Sequence, residues 1–398
     1  FDTDVFFSLI LLFVCPALLI AGAVLFIVGK RRRRAAKASA PIVSDGCPAE
    51  TVRAGGEKSY EELFDEAFGR ERKAEERPAA SASKRLGADE SAAYIDPSYT
   101  IRGAESELAA CCAARGISLG ESGTRSLLAA FCASRLIFAE VSSAKYLPAL
   151  AQALGDFFGS GGYYDDVSAY TQPADLFGAV RKEEGAQTEA ARAAEYAAEK
   201  KHAVCAAVLG GVLLPPETLL GCVAGSFAAT PGAEGALPPN VWLVCGAEAG
   251  SMPAAGEALA EAACSIRLDI AGTAAAEGHP VRALNYYQLL RLARKCTKEF
   301  LLDEDACWKK ADRLEKAAAK ASPSTFRFGN RLWLKTERYS SVLLALGAEQ
   351  GEAFDDAVAA CILPVLYSAG KECLPEAEKE LDEASFPECR KQLDGYGV

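Results

Sequence analysis

Residues 122–159 read SGTRSLLAAFCASRLIFAEVSSAKYLPALAQALGDFFG, and their pattern decides the fold. Within them LIFAEV (136–141) is a short apolar run of strand type. Apolar residues three and four apart flank it on both sides, in SGTRSLLAAFCASRL and in KYLPALAQALGDFFG. A strand that is apolar on both faces must be covered on both, which is the situation of a parallel sheet dressed with helices. Similar short runs follow at DVSAY (166–170), HAVCAAVL (202–209), NVWLVCG (240–246) and IRLDI (266–270). Helical stretches lie between them, at TEAARAAEYAAEKK (188–201), PETLLGCVAGSF (216–227) and AAGEALAEAAC (254–264), and AESELAACCAARG (104–116) precedes the series. The alternation predicts an α/β parallel-sheet core over 104–272. After Asp269 the strand signal fades. VRALNYYQLLRLARKC (281–296), EDACWKKADRLEKAAAKA (304–321), GNRLWLKTERYSSVLLALG (329–347) and EAFDDAVAACILPVLYSAG (352–370) have helical periodicity, so an all-α unit is expected over 273–398.

Toward the N-terminus the character changes. Residues 35–103 are small, polar and charged, with a short helix-like stretch SYEELFDEAFGRERKAEERP ended by Pro78, and read as a flexible tether. Before it, Val5 to Gly29 is a run of 25 residues without a charge, where a bilayer-spanning helix needs about 20 apolar residues. Pro16 and Gly22 inside the run are tolerated in such helices. The positive charge follows the run, in Lys30, Arg31, Arg32, Arg33 and Arg34, whereas a cleaved signal peptide carries its charge in front. Residues 1–34 are therefore expected to be a single-pass transmembrane helix with a basic stop-transfer collar in the inner, cytoplasmic membrane. The N-terminus would lie outside and the C-terminal body in the cytoplasm. The collar could also draw anionic headgroups.

The composition closes several routes. The 398 residues are 50% hydrophobic and 24% charged, with a net charge of -11, which rules out a disordered chain and argues against a nucleic-acid binder. Only two histidines are present, His202 and His279, and neither has a nucleophile setting, so a histidine triad or multi-histidine metal site is not expected. The fourteen cysteines show no CxxC pair, and several, such as Cys205, Cys245 and Cys361, lie in apolar runs. Reduced, buried thiols are expected, and no metal. The doublets Asp165-Asp166 and Asp355-Asp356 are adjacent in sequence. Neighbouring side chains diverge on a helix or strand, so surface charge is expected rather than acid/base pairs.

The order of these elements resembles an AAA+ module, a parallel-sheet core followed by a helical lid, in the branch of the McrB-like NTPases. TRSLLAAFCASRLIFAEV (124–141) is similar to the helix and strand leading into that family's P-loop. VSAYTQPADLFG (167–178) resembles its segment with Asp-Leu-Leu-Gly, here Asp175, Leu176, Phe177 and Gly178. LPPNVWLVCGAEAG (237–250) resembles the sensor strand, and FRFGNRLWLKTERYSSVLLALG (326–347) with EAFDDAVAACILPVLYSAG resembles the lid. The resemblance covers about 280 residues.

The departures fall on the chemistry. A P-loop needs glycines for close backbone approach, a Lys for the phosphates and a Ser/Thr for magnesium. The matching stretch is Ala139-Glu140-Val141-Ser142-Ser143-Ala144-Lys145-Tyr146, without glycine and with an acid where phosphate would sit. Lys145 stands as a remnant of the family lysine and Tyr146 replaces the hydroxyl ligand. GSGGYY (159–164) lacks a following Lys-Ser/Thr and reads as a loop. Gly210 and Gly211 stand where the family carries its metal and water acids. Ala247, Glu248 and Ala249 replace the sensor residues, and Glu261-Ala262-Ala263 stands where an arginine is usual. Arg331 in the lid is the one arginine matching a family position. What the resemblance implies is a degenerate nucleotide site comprising Ser142, Ser143, Lys145, Tyr146, Gly210, Gly211 and Arg331. No catalytic residue, no ATP or magnesium cofactor and no hydrolysis are expected. The expected function is a membrane-anchored, catalytically inactive scaffold. It would hold the bilayer through residues 5–29 and bind a protein partner such as an active AAA+ homologue. Two alternatives are a weak nucleotide-binding ATPase and a helical adaptor of tetratricopeptide-repeat type. The adaptor reading rests on Gly278, Ala283 and Tyr287 in EGHPVRALNYYQLLRLA, and a parallel sheet before 272 would exclude it.

Overall fold

The computed structural model describes residues 95–167, 188–211, 237–248, 257–276, 282–303, 307–321, 328–369, 373–381 and 386–396, all within one unit spanning 58–398. The apolar run 5–29, the basic collar, the tether up to residue 94, the helix expected at 216–227, Asp175–Gly178 and His279 lie outside these residues. Among the described residues no helix is long and apolar enough to cross a membrane.

In chain order the elements are α1 (Ile101–Ala114), β1 (Ile117–Ser118), α2 (Gly120–Ala133), β2 (Leu136–Val141), α3 (Leu147–Phe158), β3 (Tyr163–Asp166), α4 (Glu189–Glu199), β4 (Cys205–Gly210), β5 (Val241–Glu248), α5 (Glu257–Ala262), β6 (Ala263–Leu268) and β7 (Ala271–Gly272). The helices α6 (Tyr286–Glu299), α7 (Lys309–Ala321), α8 (Asn330–Leu346), α9 (Gln350–Ala357), α10 (Leu363–Ala369), α11 (Cys373–Glu380) and α12 (Pro387–Tyr396) follow, with a π turn at Val358–Ile362 between α9 and α10. Local chemistry starts several of them. Thr100 caps α1 by accepting from Gly103 N–H at 3.1 Å, Asn285 caps α6 by accepting from Gln288 N–H at 2.9 Å, and Glu349 with Glu352 form a capping box on α9.

The main sheet has five strands in the order β3-β4-β5-β2-β6, every neighbouring pair parallel. All six residues of β2 are buried, as expected of a strand covered on both faces. Its period-2 alternation feeds two cores. Ile137, Ala139 and Val141 join one with Ala206, Val208, Trp242, Val244 and Ile266. Leu136 and Phe138 join the other with Cys205, Ala207, Leu209, Leu243 and the alanines of α4. The first core also takes in α1, α2, α3 and the helices from α6 onward, so these C-terminal helices share one continuous interior with a sheet face. A parallel sheet before residue 272 excludes an all-helical repeat array. Of the residues that suggested a repeat, Ala283 packs against Gly159 and Tyr287 lies against Tyr286 in the first core.

Two strand boundaries differ from expectation, and one short ladder is new. The second strand runs over Tyr163–Asp166, starting earlier than the expected 166–170, of which 168–170 lie outside the described residues. The aromatic pair Tyr163-Tyr164 enters the ladder directly after Gly162, so GSGGYY is a loop only in its first four residues. The last sheet strand begins at Ala263, not Ile266, because the start of β2 needs a partner and Leu136 pairs with Ala263. A second, two-residue antiparallel ladder pairs Ile117 with Gly272 and Ser118 with Ala271. It is too short to leave a periodic signal.

Candidate functional site

In an open α/β sheet, ligands sit outside the carboxyl ends of the strands, where successive connections diverge. Here that position is the end of β2, which lies between β5 and β6. Ser142, Ser143, Lys145 and Tyr146 are therefore brought to the switch point, where the resemblance implied a nucleotide site. Each is engaged by the protein itself. Ser142 is stitched to the chain after β6: its N–H donates to Leu268 O at 3.2 Å and its Oγ donates to Ile270 O at 2.9 Å. The Ser143 carbonyl accepts from Tyr146 N–H at 3.3 Å, closing a 3-10 turn at Ala144–Tyr146 in place of an open loop. Lys145 Nζ lies 4.7 Å from the centroid of the Tyr146 ring. Tyr146 packs against Gly272, where an added Cβ would come within 2.7 Å of its hydroxyl.

The Ala144 N–H, which opens the turn into α3, donates to Glu248 Oε1 at 3.1 Å. Glu248 reaches it because Val141 and Glu248 are register partners at the ends of β2 and β5. A carboxylate of the chain thus holds the amide that a phosphate would need, and an incoming phosphate would meet a like charge. The residues present do not fit a nucleotide phosphate.

Gly210 and Gly211 end β4. The Tyr164 ring from β3 covers the first: an added Cβ would lie 2.6 Å from the Tyr164 hydroxyl. Burial raises the Tyr164 phenol above its usual value, with Asp166 and Asp165 adding to it. Gly211, just after the strand, takes a left-handed φ of 69°, which takes the backbone out of extended geometry. The adjacent carboxylates on β3 diverge. Asp165 is buried and accepts from Glu189 N–H at 3.1 Å and Ala190 N–H at 2.7 Å, capping α4, while Asp166 is exposed. The Asp355-Asp356 doublet repeats this arrangement. Asp355 is buried and accepts from Glu388 N–H at 2.7 Å and Cys389 N–H at 3.0 Å at the start of α12, while Asp356 makes neither bond and is half-buried.

Two readings are corrected. Glu140 does not enter the turn after β2. It points to the second sheet face and pairs with Arg267 directly across on β6, at 3.1 Å, as the register Glu140↔Arg267 requires. Asp165 and Asp355 are buried helix caps, not surface charge. Arg331 is exposed in the first turn of α8, and among the described residues no hydrogen bond or ion pair joins it to the β2–α3 turn. The His202 carbonyl accepts from Tyr286 N–H at 2.8 Å, a backbone role that makes no demand on the imidazole.

Sequence reasoning missed the polar interior of α8. Lys335 is only 5% exposed and its Nζ donates to the carbonyls of Ala263 and of Ala260, the latter at 3.1 Å, at the C-terminal end of α5. Arg338, Ser340 and Ser341 are buried on the same helix. Their spacing reads as an ordinary polar face, and only the packing of helices around α8 turns that face inward. Also buried there are Cys264 and Cys361, with sulfurs 3.9 Å apart. The eleven described cysteines are all free and buried, and among the described residues no three His, Cys, Asp or Glu side chains converge on a metal position. A hollow of about 20 Å³ lined by Asp96, Tyr99, Arg282 and Gln288 is too small for an organic ligand, whose pockets run to about 300 Å³ or more. No protein-family profile, curated protein or solved structure matches the chain.

Proposed function

We propose that the chain is a membrane-anchored, catalytically inactive AAA+-like protein whose cytoplasmic body works as a scaffold for a protein partner. The observation that carries the reading is the Glu248 carboxylate on the Ala144 amide. It puts a fixed negative charge at the switch point of a doubly wound sheet, the position where phosphates are otherwise bound. Tyr164 over Gly210 and Tyr146 over Gly272 support it, because they fill the neighbouring strand ends with rings. Phosphoryl transfer rests on cradled phosphates and metal-assisted charge stabilisation, and among the described residues no free amide cradle or cluster of three metal-ligating side chains stands there. The partner that best suits such a body is an active AAA+ homologue that supplies the hydrolysing sites, with residues 5–29 holding the complex in the bilayer.

Calorimetry of the full chain in detergent with MgATP tests the catalytic half. No binding heat and no phosphate release above background are expected, and micromolar binding with turnover would overturn it. Affinity purification of the full chain from solubilised membranes tests the binding half. A stoichiometric partner is expected, and recovery of the chain alone under mild detergent counts against it.

A further inference from the structure

Cys264 is the second residue of β6 and Cys361 lies in the π turn between α9 and α10, both with no exposed surface. Their sulfurs are 3.9 Å apart, with one thiol donating to the other. α8 lines the same space with two polar groups. Lys335 Nζ is held on the Ala260 and Ala263 carbonyls, immediately before Cys264, and Thr336 is the next residue. A π turn is an uncommon element that recurs at functional positions, and here it delivers the thiol. The thiol pair thus has Lys335 and the Thr336 hydroxyl beside it, the latter also donating to Leu332 O at 2.8 Å, which is more polar company than an apolar core supplies.

We propose that Cys264 and Cys361 form a reversible dithiol–disulfide site, oxidised by hydroperoxides, that ties the sheet to the C-terminal helices. This goes beyond the scaffold reading and does not depend on it. Cys361 is the attacking group. Burial by itself would raise its thiol, but the Cys264 hydrogen bond, Lys335 and Thr336 hold it below the ordinary value. Burial, with the hydrogen bond to Cys361, pushes Cys264 well up. Elsewhere the thiols are raised by burial, as at Cys112, Cys205, Cys245 and Cys296, each pushed up to about 12.

In the first step the Cys361 thiolate attacks one oxygen of the hydroperoxide. The O–O bond breaks, the departing alkoxide or hydroxide takes a proton, and Cys361 becomes a sulfenic acid. In the second, the Cys264 sulfur attacks that sulfur, its proton leaves with the hydroxyl group as water, and the S–S bond forms. Two thiols are oxidised and one hydroperoxide is reduced to an alcohol and water, or to two waters from hydrogen peroxide. The sulfurs must close from 3.9 Å to about 2.05 Å. Dithiols reverse the bond by exchange.

The test treats the full chain in detergent with hydrogen peroxide, blocks remaining thiols with N-ethylmaleimide and maps peptides without reduction. A single cross-link joining Cys264 to Cys361 is expected, forming before oxidation at any other described cysteine and lost on adding dithiothreitol. With dimedone present, Cys264→Ser should accumulate a sulfenic adduct at Cys361, while Cys361→Ser should give none at Cys264. Oxidation elsewhere with this pair still reduced, or equal adducts in the two variants, overturns the proposal. Should a serine variant fail to fold, the wild-type map decides alone.

Discussion

Replacing Asp356 by Asn should stabilise the protein at alkaline pH and do little in acid. Burial of Asp356 raises its carboxyl from 3.8 to about 7, helped by the negative charges of Glu388, Asp355 and Glu352 and opposed by Lys391. The folded chain therefore keeps a proton that the unfolded chain releases. Stability falls as pH rises from about 4 to about 7 and levels off above, since the group's folded value lies above its unfolded one. The full displacement corresponds to about 4 kcal/mol at roughly 1.4 kcal/mol per pH unit. Solvent reaching this partly exposed side chain reduces the effect to about 2 kcal/mol. For a body of this size that is about 4 °C in melting temperature. All three tryptophans, Trp242, Trp308 and Trp333, lie in the folded body, so their fluorescence reads its unfolding. Asp356→Asn should melt about 4 °C above wild type at pH 8 and within about 1 °C of it at pH 4.5. An equal gap at both pH values, or a lower melting temperature at pH 8, would refute the reasoning.

Asp165→Ala should cost about 1–3 kcal/mol by urea denaturation, because two amides of α4 lose their acceptor, while Asp166→Ala should stay within about 0.5 kcal/mol. Gly210→Ala should cost about 1–3 kcal/mol through overlap with the Tyr164 hydroxyl, and Tyr164→Phe in the same chain should recover much of it, as the two melting curves will show. On the membrane side, alkaline carbonate should leave the full chain in the pellet, and removal of residues 1–34 should release it to the supernatant.

The sheet was legible because its strands are apolar on both faces and its helices are not. LIFAEV, CAAVL and VWLVC cannot be amphipathic helices of useful length, and each became a buried parallel strand. Strand order was not legible, since nothing in a parallel run says which neighbour it takes, and the position of β2 between β5 and β6 is a tertiary outcome. At the switch point the absence of glycines from residues 139–146 could be read directly. The side chains that occupy the strand ends could not: Glu248 reaches Ala144 across 104 positions, and Tyr164 covers Gly210 from a neighbouring strand. Glu140 was misplaced for a related reason. Its facing is set by the pleat of β2, which sends it to the face opposite Val141.

The C-terminal helices bear on whether the body could cycle between states. A moving lid must part from the sheet at small cost, because a ligand shifts an equilibrium only by its differential affinity. Here Leu289, Leu343, Phe354 and Ile362 from those helices are at most 1% exposed in the core they share with β2, β4, β5 and β6. Exposing these four alone costs about 6–12 kcal/mol at about 1.5–3 kcal/mol each. Lys335 adds to this, since swinging α8 away strips the carbonyls of Ala260 and Ala263 of their donor. The chain entering the body is held as well: Arg291 of α6 donates to the carbonyls of Asp96 at 3.0 Å and Pro97 at 2.9 Å, and Gln288 Nε2 donates to Asp96 O at 3.1 Å. Helices, sheet and residues 96–97 are thus fastened to one another by bonds that a lid movement would have to break each time. Such fastening is what the proposed scaffold would require. It would also give the proposed Cys264–Cys361 bond a defined consequence: the disulfide would cross-link two elements already in place, reinforcing the body without rebuilding it.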